Sequence, residues 1–308
     1  MNGLRKKYDV RDKGRIEVYC GLQFKFTPTH ITVHQPKYAS LLLEHYGYGK
    51  SNPTPTPVAT DALTSVPRGE REGNKKESKS GDSGKTLKAF DQREIMGSLL
   101  WLSHTRPDLA LAVNLMGRYM GKSEKFYEIA ARTLRYIKGT IERGLAYNRQ
   151  SEKTEEVIGY VDSDFAGDTN DRKSQTGYVF WWNGCPISWR SQKQSVVSLS
   201  STEAELVAAV EATREAVAIR SLLGELGLES KKATQIYEDN NGALLLSKGH
   251  IGGARTKHIS IKYHYVAEQS REGVIDLVRV DSENNHADPL TKPLPTQAHK
   301  NHLNYLTA

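Results

Sequence analysis

The chain has 308 residues, which is enough for one large domain or two domains of ordinary size. Its net charge of +7 favours an anionic partner, of which nucleic acid is the commonest. No apolar run approaches the roughly 18 residues that a membrane helix requires, so we expect no membrane partner. The two cysteines, Cys20 and Cys185, lie far apart and exclude a cysteine-rich metal site, which favours a reduced, intracellular protein.

The first predicted elements are two short strands and a helix. Apolar and β-branched residues mark the strands at 16–24 and 31–33, and a helical pattern follows over 35–46. The next segment, 64–86, contains no aromatic residue and is crowded with Lys, Glu, Ser and Gly. Such a segment buries too little surface to offset its ordering entropy, so we predict a flexible charged linker over 60–88.

Two helices are predicted after the linker, over 90–121 and 124–139, and a proline interrupts the first of them. On the second helix, Arg132, Arg135 and Lys138 recur at a spacing of three and therefore share one face. Two interpretations of this basic face stay open. It is either a track for nucleic-acid phosphates or an ordinary solvated surface.

From residue 155 onward the pattern changes to closely spaced strands and helices. Strands are predicted at 157–162, 176–182, 186–190, 235–239 and 274–280. Helices are predicted at 202–226, 241–247 and 258–271, and a short final helix begins near 286. This order predicts an α/β domain in which helices pack on a mixed sheet.

Acidic residues recur where these elements begin or end. Asp162 ends the first strand of the domain, Glu205 lies at the start of the long helix, Asp239 ends a later strand, and Asp288 begins the last helix. Carboxylates from four elements that converge at one end of a sheet form a site for a hard cation such as Mg²⁺. Two such ions can activate a water and stabilise the leaving oxygen in phosphodiester hydrolysis. Whether Asp164 assists Asp162 or only shapes the following turn stays open.

Several of these acids also have a purely structural interpretation. Asp168 fits a turn-forming role, and Asp239 and Asp288 could each cap a helix. Glu203 lies three residues after Ser200, and the two fit a capping box. That arrangement gives the first glutamate of the helix a structural role and leaves the second freer for chemistry.

A family resemblance covers nearly the whole chain. The ribonuclease H domain of copia-type retrotransposon polyproteins resembles the run YVDSDFAGDTNDRKSQTGYVFWWNGCPISWRSQKQSVVSLSSTEAELVAA, and YEDNNGALLLS, RTKHISIKYHYV and NNHADPLTKPLP follow in the family's order. Upstream, IMGSLLWLSHTRPDLALAV and LRYIKGT resemble the segment that connects reverse transcriptase to ribonuclease H. YCGLQFKF and VHQPKYASLLLEHYGY resemble the end of the polymerase. The resemblance implies a reverse-transcriptase remnant over 1–59, a helical connection segment over 89–150 and a ribonuclease H-like domain over 151–308.

The resemblance also implies the fold and the reaction. The expected fold is a ribonuclease H-like mixed five-stranded sheet with flanking helices, preceded by a smaller thumb and connection region. The expected reaction is cleavage of the RNA strand of RNA–DNA hybrids, with two Mg²⁺ ions for which Mn²⁺ can substitute. Matched motif by motif, the catalytic and metal-binding acids fall on Asp162, Glu205, Asp239 and Asp288.

Selectivity for RNA is expected to come from contacts to 2′-hydroxyl groups. Ser201, Thr202 and Asn240 are short polar residues beside the acids and are candidates for such contacts. Each of them also fits a cap or turn position, so the two interpretations stay open.

The chain contains no Asp-Asp pair, so the YxDD polymerase motif is missing and no polymerase activity is expected on this chain. We expect the C-terminal part of a retroelement polyprotein, present as a truncated copy, a separate reading frame or a remnant with another use. The expected partners are an RNA–DNA hybrid and an intact reverse transcriptase or retroelement particle proteins, in cytoplasmic particles or in the nucleus. The alternative is a remnant that binds nucleic acid, or has a structural role, without catalysis.

Overall fold

The computed structural model describes residues 14–63, 87–121, 123–149, 156–247 and 260–308. Most of the predicted linker, 64–86, lies outside these ranges. Within them, no helix combines the length and the apolar composition that a membrane crossing demands.

The first sheet has four antiparallel strands in the order β1-β2-β3-β4. They are β1 (Val18–Tyr19), β2 (Leu22–Phe26), β3 (His30–His34) and β4 (Gly144–Asn148). The prediction of a single strand over 16–24 is wrong, because the chain reverses at Cys20 and Gly21. Both residues have a positive φ, 49° and 78°, which is the backbone of a tight hairpin turn.

Strand β4 was not predicted from the sequence, and it changes how the N-terminal half is organised. Its Tyr147 pairs with Ile31 and its Leu145 pairs with Val33. The end of the predicted connection segment therefore completes the sheet that the predicted reverse-transcriptase remnant begins.

The helices that lie between β3 and β4 in the chain share one apolar core. They are α1 (Pro36–His45), α2 (Gln92–Ser103), α3 (Ala110–Arg118) and α4 (Ser123–Gly139), with a 3₁₀ turn (Pro107–Leu109) between α2 and α3. The predicted interruption near Pro107 is confirmed. Leu43, Leu99, Leu115 and Leu134 are all buried in the shared core, which therefore draws on both sides of the linker.

The second sheet has five strands: β5 (Val157–Asp164), β6 (Gln175–Trp182), β7 (Cys185–Lys193), β8 (Thr234–Glu238) and β9 (Ile275–Arg279). Their order is β7-β6-β5-β8-β9, and the sheet is antiparallel across β5, β6 and β7 but parallel across β5, β8 and β9. The flanking helices are α5 (Ser201–Glu225), α6 (Asn241–Ser247), α7 (Ser260–Arg271), α8 (Asp288–Thr291) and α9 (Thr296–Leu306). The predicted ribonuclease H-like mixed sheet with flanking helices is confirmed.

The two faces of this sheet bury different helices, and this difference positions the acids. Val161 and Ile236 belong to the core under α5, whereas Val179 and Trp181 pack with Leu290 of α8 on the opposite face. Side chains alternate along a strand, so residues on either side of Val161 in β5 point toward α8. Acids from the strand and from α5 can therefore meet only where the strand ends.

The two sheets are joined by direct contacts. Helix α3 packs against β7, and the guanidinium of Arg118 lies 3.6 Å from the carboxylate of Asp168. The backbones of Gly144 and Ala308 exchange two hydrogen bonds, of 3.1 and 2.9 Å. The last residues of the chain thus bind the last strand of the first sheet.

Candidate active site

Asp162 lies near the end of β5, and only 2% of it is exposed. The hydroxyl of Thr291 donates a hydrogen bond to its Oδ2, and the ammonium of Lys292 lies 3.6 Å from the same atom. Burial nevertheless raises the pKa of Asp162, although Lys292 acts in the opposite direction. The carboxylate is fixed in position, but the positive charge of Lys292 does not offset the cost of burying its negative charge.

Glu205 reaches the same place from the start of α5. Ser200 caps this helix, because its Oγ accepts a hydrogen bond of 3.2 Å from the backbone N–H of Glu203, and Glu203 in turn accepts one of 2.7 Å from the N–H of Leu199. The predicted capping role of Glu203 is confirmed. Burial first, and then neighbouring carboxylates led by Glu238, raise the pKa of Glu205 to about 11.

Asp239 and Asp288 complete the acidic set from two further elements. Asp239 directly follows β8, and its Oδ2 accepts a hydrogen bond of 2.5 Å from the hydroxyl of Ser282. Asp288 is the first residue of α8, and its Oδ1 lies 3.1 Å from the ammonium of Lys292. Burial, and then the charge of Asp162, raise the pKa of Asp288 to about 7.

The structure brings the four predicted acids together. Carboxylate oxygens of Asp162, Glu205 and Asp239 lie within 4.8 Å of one another, and Lys292 bridges Asp162 to Asp288. In the part of the chain that the structure describes, no other group of three or more acidic, histidine or cysteine side chains is this close. An all-carboxylate donor set fits a hard cation such as Mg²⁺ or Mn²⁺. The raised pKa values indicate excess negative charge that such a cation would relieve.

Glu238 is a further buried carboxylate that sequence reasoning missed. Its Oε1 accepts a hydrogen bond of 3.0 Å from the backbone N–H of Asn240, and its Oε2 has no hydrogen-bond partner among the described residues. Burial raises the pKa of Glu238 well above its usual range. The period of two along β8 is the signal that could have found it, because Ile236 and Glu238 share the face toward α5.

Lys292 was also missed, although it lies four residues after Asp288 in the run HADPLTK. That spacing allows an ion pair along a single helical turn, which is what the structure shows. Although burial acts in the opposite direction, the charges of Asp162 and Asp288 raise the pKa of Lys292, so the lysine stays charged beside the acids.

Asp164 and Asp168, from the same stretch of sequence, lie in different environments. Asp164 is the last residue of β5, and its carboxylate fills the space above Gly167. Burial and the charge of Asp162 raise the pKa of Asp164. Although burial acts in the opposite direction, hydrogen bonds from Lys193 and from the loop lower the pKa of Asp168 to about 2, which confirms its turn-forming role.

The predicted RNA-contacting residues surround the starts of two helices. Ser201 is exposed at the start of α5, and Thr202 packs tightly against Gly242 of α6. The side chain of Asn240 caps α6 by accepting hydrogen bonds of 2.9 and 3.1 Å from the N–H groups of Gly242 and Ala243. The three residues flank the acids, and their contact with RNA stays a prediction.

The basic residues of α4 are half-buried. They lie in the first unit of the molecule, which consists of the first sheet and helices α1 to α4. Arg132 donates a hydrogen bond of 2.8 Å to the hydroxyl of Thr56, and Arg135 donates one of 2.7 Å to the backbone carbonyl of Asn52. Both guanidinium groups therefore have structural partners in the segment that follows α1. A role for them and for Lys138 in binding phosphates stays a prediction.

Comparison with known proteins adds the family. No protein-family model matches the chain. It is 33% identical to the retrovirus-related Pol polyprotein from transposon RE1 of Arabidopsis thaliana over 302 residues, which are 98% of this chain and 20% of that protein. It is also 33% identical over 300 residues to the retrovirus-related Pol polyprotein from transposon TNT 1-94 of Nicotiana tabacum, which are 95% of this chain and 21% of that protein. The solved structure of LC11-RNase H1 matches 48% of this chain and 99% of its own, at 17% identity and a TM-score of 0.36.

The sheet order, the flanking helices and the acids at the end of β5 define a ribonuclease H-like domain joined to a smaller α+β unit. The chain belongs to the Pol polyproteins of copia-type retrotransposons. It spans about a fifth of the length of the two polyproteins described above.

Proposed function

We propose that this chain cleaves the RNA strand of RNA–DNA hybrids by metal-dependent hydrolysis. The observation that supports this most is the convergence of Asp162, Glu205 and Asp239 within 4.8 Å, with Asp288 beside them. Membership in a Pol polyprotein family and the net charge of +7 agree with a nucleic-acid substrate.

The cofactors we propose are two Mg²⁺ ions, for which Mn²⁺ can substitute. Asp162 and Asp239 would hold one ion, Asp162 would also bind the second ion, and Glu205 and Asp288 would complete the two coordination shells. When bound, such ions activate a water and stabilise the leaving oxygen of the phosphodiester.

The other residues of the site orient these carboxylates. Thr291 holds Asp162 through a hydrogen bond, and Lys292 keeps Asp162 and Asp288 close despite their like charges. The cap made by Ser200 fixes the first turn of α5 and therefore the direction of Glu205.

Recognition of RNA would use the helix starts beside the acids. Exposed N–H groups at a helix N-terminus favour phosphate oxygens. The hydroxyls of Ser201 and Thr202 and the amide of Asn240 are then the groups we propose for 2′-hydroxyl contacts. Besides the hybrid, we propose an intact reverse transcriptase or retroelement particle proteins as partners, in cytoplasmic particles or in the nucleus.

The test uses purified protein, Mg²⁺ and an RNA–DNA hybrid labelled on the RNA strand. The parent and the control variant Asp276→Asn, which changes an exposed acid on β9, should cut the RNA. Asp162→Asn should reduce cleavage by about a hundredfold or more, because it removes the charge shared by both ions. Equal cleavage by Asp162→Asn would refute the assignment. Binding of the hybrid without cleavage by the parent would favour the non-catalytic remnant.

A further inference from the structure

A line of aromatic rings crosses the face of the second sheet that lies opposite α5. Tyr237 of β8 stacks on Tyr160 of β5, with ring centroids 4.8 Å apart and planes at 25°. Tyr160 contacts His286 at 4.8 Å, and His286 stacks on Tyr305 of α9 at 3.8 Å and 25°. The rings form a continuous series from the parallel part of the sheet to the last helix.

The outer end of this series opens into a cavity. Tyr305 is 56% exposed, although its ring is stacked on one side by His286. The cavity has a volume of about 750 Å³, and amide side chains with one ammonium group form much of its lining: Asn284, Gln297, Lys300, Asn301 and Asn304. An exposed ring beside amides and a cation presents one surface for stacking and several groups for hydrogen bonds.

The inner wall of the cavity is held in place. The Nδ1 atoms of His286 and His302 lie 3.1 Å apart, and His302 is buried. The indole N–H of Trp181 donates a hydrogen bond of 3.1 Å to the backbone carbonyl of Tyr305. These contacts fix His286 and the backbone of α9, so the exposed ring of Tyr305 does not have to be ordered by a ligand.

Two short links connect the cavity to the acidic cluster. Tyr160 precedes Asp162 by two residues on the same face of β5, a distance of roughly 6 to 7 Å along the strand. On the other side, Ser282, which binds Asp239, belongs to the same turn as Asn284 in the cavity lining. Tyr305 therefore lies on the side of the sheet that also carries Asp162, and a nucleic-acid strand that passes the acids can extend toward it.

We propose that this cavity binds the base of an unpaired nucleotide, stacked on Tyr305, and this inference rests on the proposed function of the acidic cluster. Aromatic side chains stack on any base, and amides can pair with base edges, which suits single-stranded RNA or DNA. Glu283 also lines the cavity and repels phosphate, so the base occupies the cavity and its phosphate lies toward Lys300.

The experiment measures binding in EDTA, where cleavage plays no part. Three fluorescent probes are titrated with the full chain by anisotropy: a blunt RNA–DNA hybrid, the same hybrid with a four-nucleotide RNA overhang, and a labelled nucleoside monophosphate. Tyr305→Ala should weaken binding of the overhang hybrid by about five- to a hundredfold, which is the range expected for one stacked base. Binding of the blunt hybrid should change little.

Two further variants make the result specific. Tyr305→Phe keeps the ring and should retain the affinity for the overhang, whereas Tyr19→Ala removes a similarly exposed tyrosine from the first sheet and should have no effect. A Tyr305-dependent loss for the overhang identifies the substrate strand as the occupant, and a loss for the monophosphate identifies a free nucleotide. If no probe distinguishes Tyr305→Ala from the parent, the proposal is overturned, whether or not the protein cleaves hybrids.

Discussion

At the scale of single residues, the acidic cluster combines close packing with a deficit of positive charge. The pKa of Asp288 is raised to about 7 and that of Glu205 to about 11, whereas both carboxyls titrate near pH 4 in an unfolded chain. The folded state therefore holds these protons more tightly. Stability of the metal-free protein should fall as the pH rises above about 4, through about 7 for Asp288 and on toward 11 for Glu205, because ionisation then favours the unfolded chain.

This pH dependence should be smaller in Asp288→Asn. Because the pKa of Asp288 is about 7 in the folded state and about 4 in the unfolded chain, ionisation of this carboxyl lowers the free energy of unfolding by up to about 4 kcal/mol as the pH rises. The substitution removes this loss of stability. Thermal unfolding in EDTA at pH 5 and pH 8 measures it, with Asp276→Asn as the exposed control. Asp168 does not interfere, since its pKa is lowered to about 2 and its contribution is lost only below about pH 4. Identical slopes for the parent and Asp288→Asn would contradict the assigned environment.

Four carboxylates of the site could be predicted from the sequence, whereas the buried carboxylate of Glu238 could not. Asp162, Glu205, Asp239 and Asp288 were found because acids at element boundaries form a recognisable pattern and a family motif. Glu238 was passed over because an acid inside a strand is usually a solvated residue, and its burial depends on α5, which packs over it from another part of the chain.

At the scale of elements, the site depends on how closely α8 approaches β6. Gly177 pairs with Asp162 across the sheet, and a Cβ at this glycine would lie 2.7 Å from Cγ2 of Thr291 and 2.8 Å from Cβ of Leu290. Only a glycine leaves room for the helix that supplies Asp288, Thr291 and the neighbouring Lys292. The position of three site residues is thus set by a missing side chain on a different strand.

Gly177→Ala should therefore weaken metal binding without altering any acid. The added methyl group must displace α8, at a cost of about 1–3 kcal/mol in stability. Calorimetric titration with Mn²⁺ should show a lower affinity than for the parent. Gly97→Ala is the matched control, because nothing lies within 4 Å of its added Cβ in α2 and helix propensity favours alanine. Unchanged Mn²⁺ affinity in Gly177→Ala would mean that α8 does not position the site.

The elements that sequence reasoning missed share one physical cause. Strand β4, GLAYN, is short and lacks a clear alternation, and its partner β3 lies more than a hundred residues earlier in the chain. Its extended conformation is decided by that partner and not by local preference. The longer strands and α5 were predicted with each end within three residues of its observed position, because their own periodicity specifies them.

At the scale of the whole molecule, a buried polar network links the two units. Arg106 and Asp108 form an ion pair of 2.7 Å, and both are almost fully buried. The hydroxyl of Tyr136 donates to Asp108 at 2.8 Å and lies 3.1 Å from Nε2 of His299 in α9. Burial lowers the pKa of His299 to about 4, so the ring is neutral. Because the hydroxyl proton of Tyr136 is donated to Asp108, the Nε2–H of His299 donates to the tyrosine oxygen. The network therefore connects the first core to the last helix.

Asp108→Asn tests whether the two units unfold together. The variant leaves the charge of Arg106 buried without its partner, which should cost about 3–5 kcal/mol. Because the network reaches α9, hydrogen exchange should accelerate in β6 and β7 as well as in α2 and α3, and by a similar factor. Glu156→Gln is the control, since it removes an exposed ion pair with Lys232 and should leave the stability nearly unchanged. Faster exchange confined to the first unit would mean that the ribonuclease H-like domain is stable on its own.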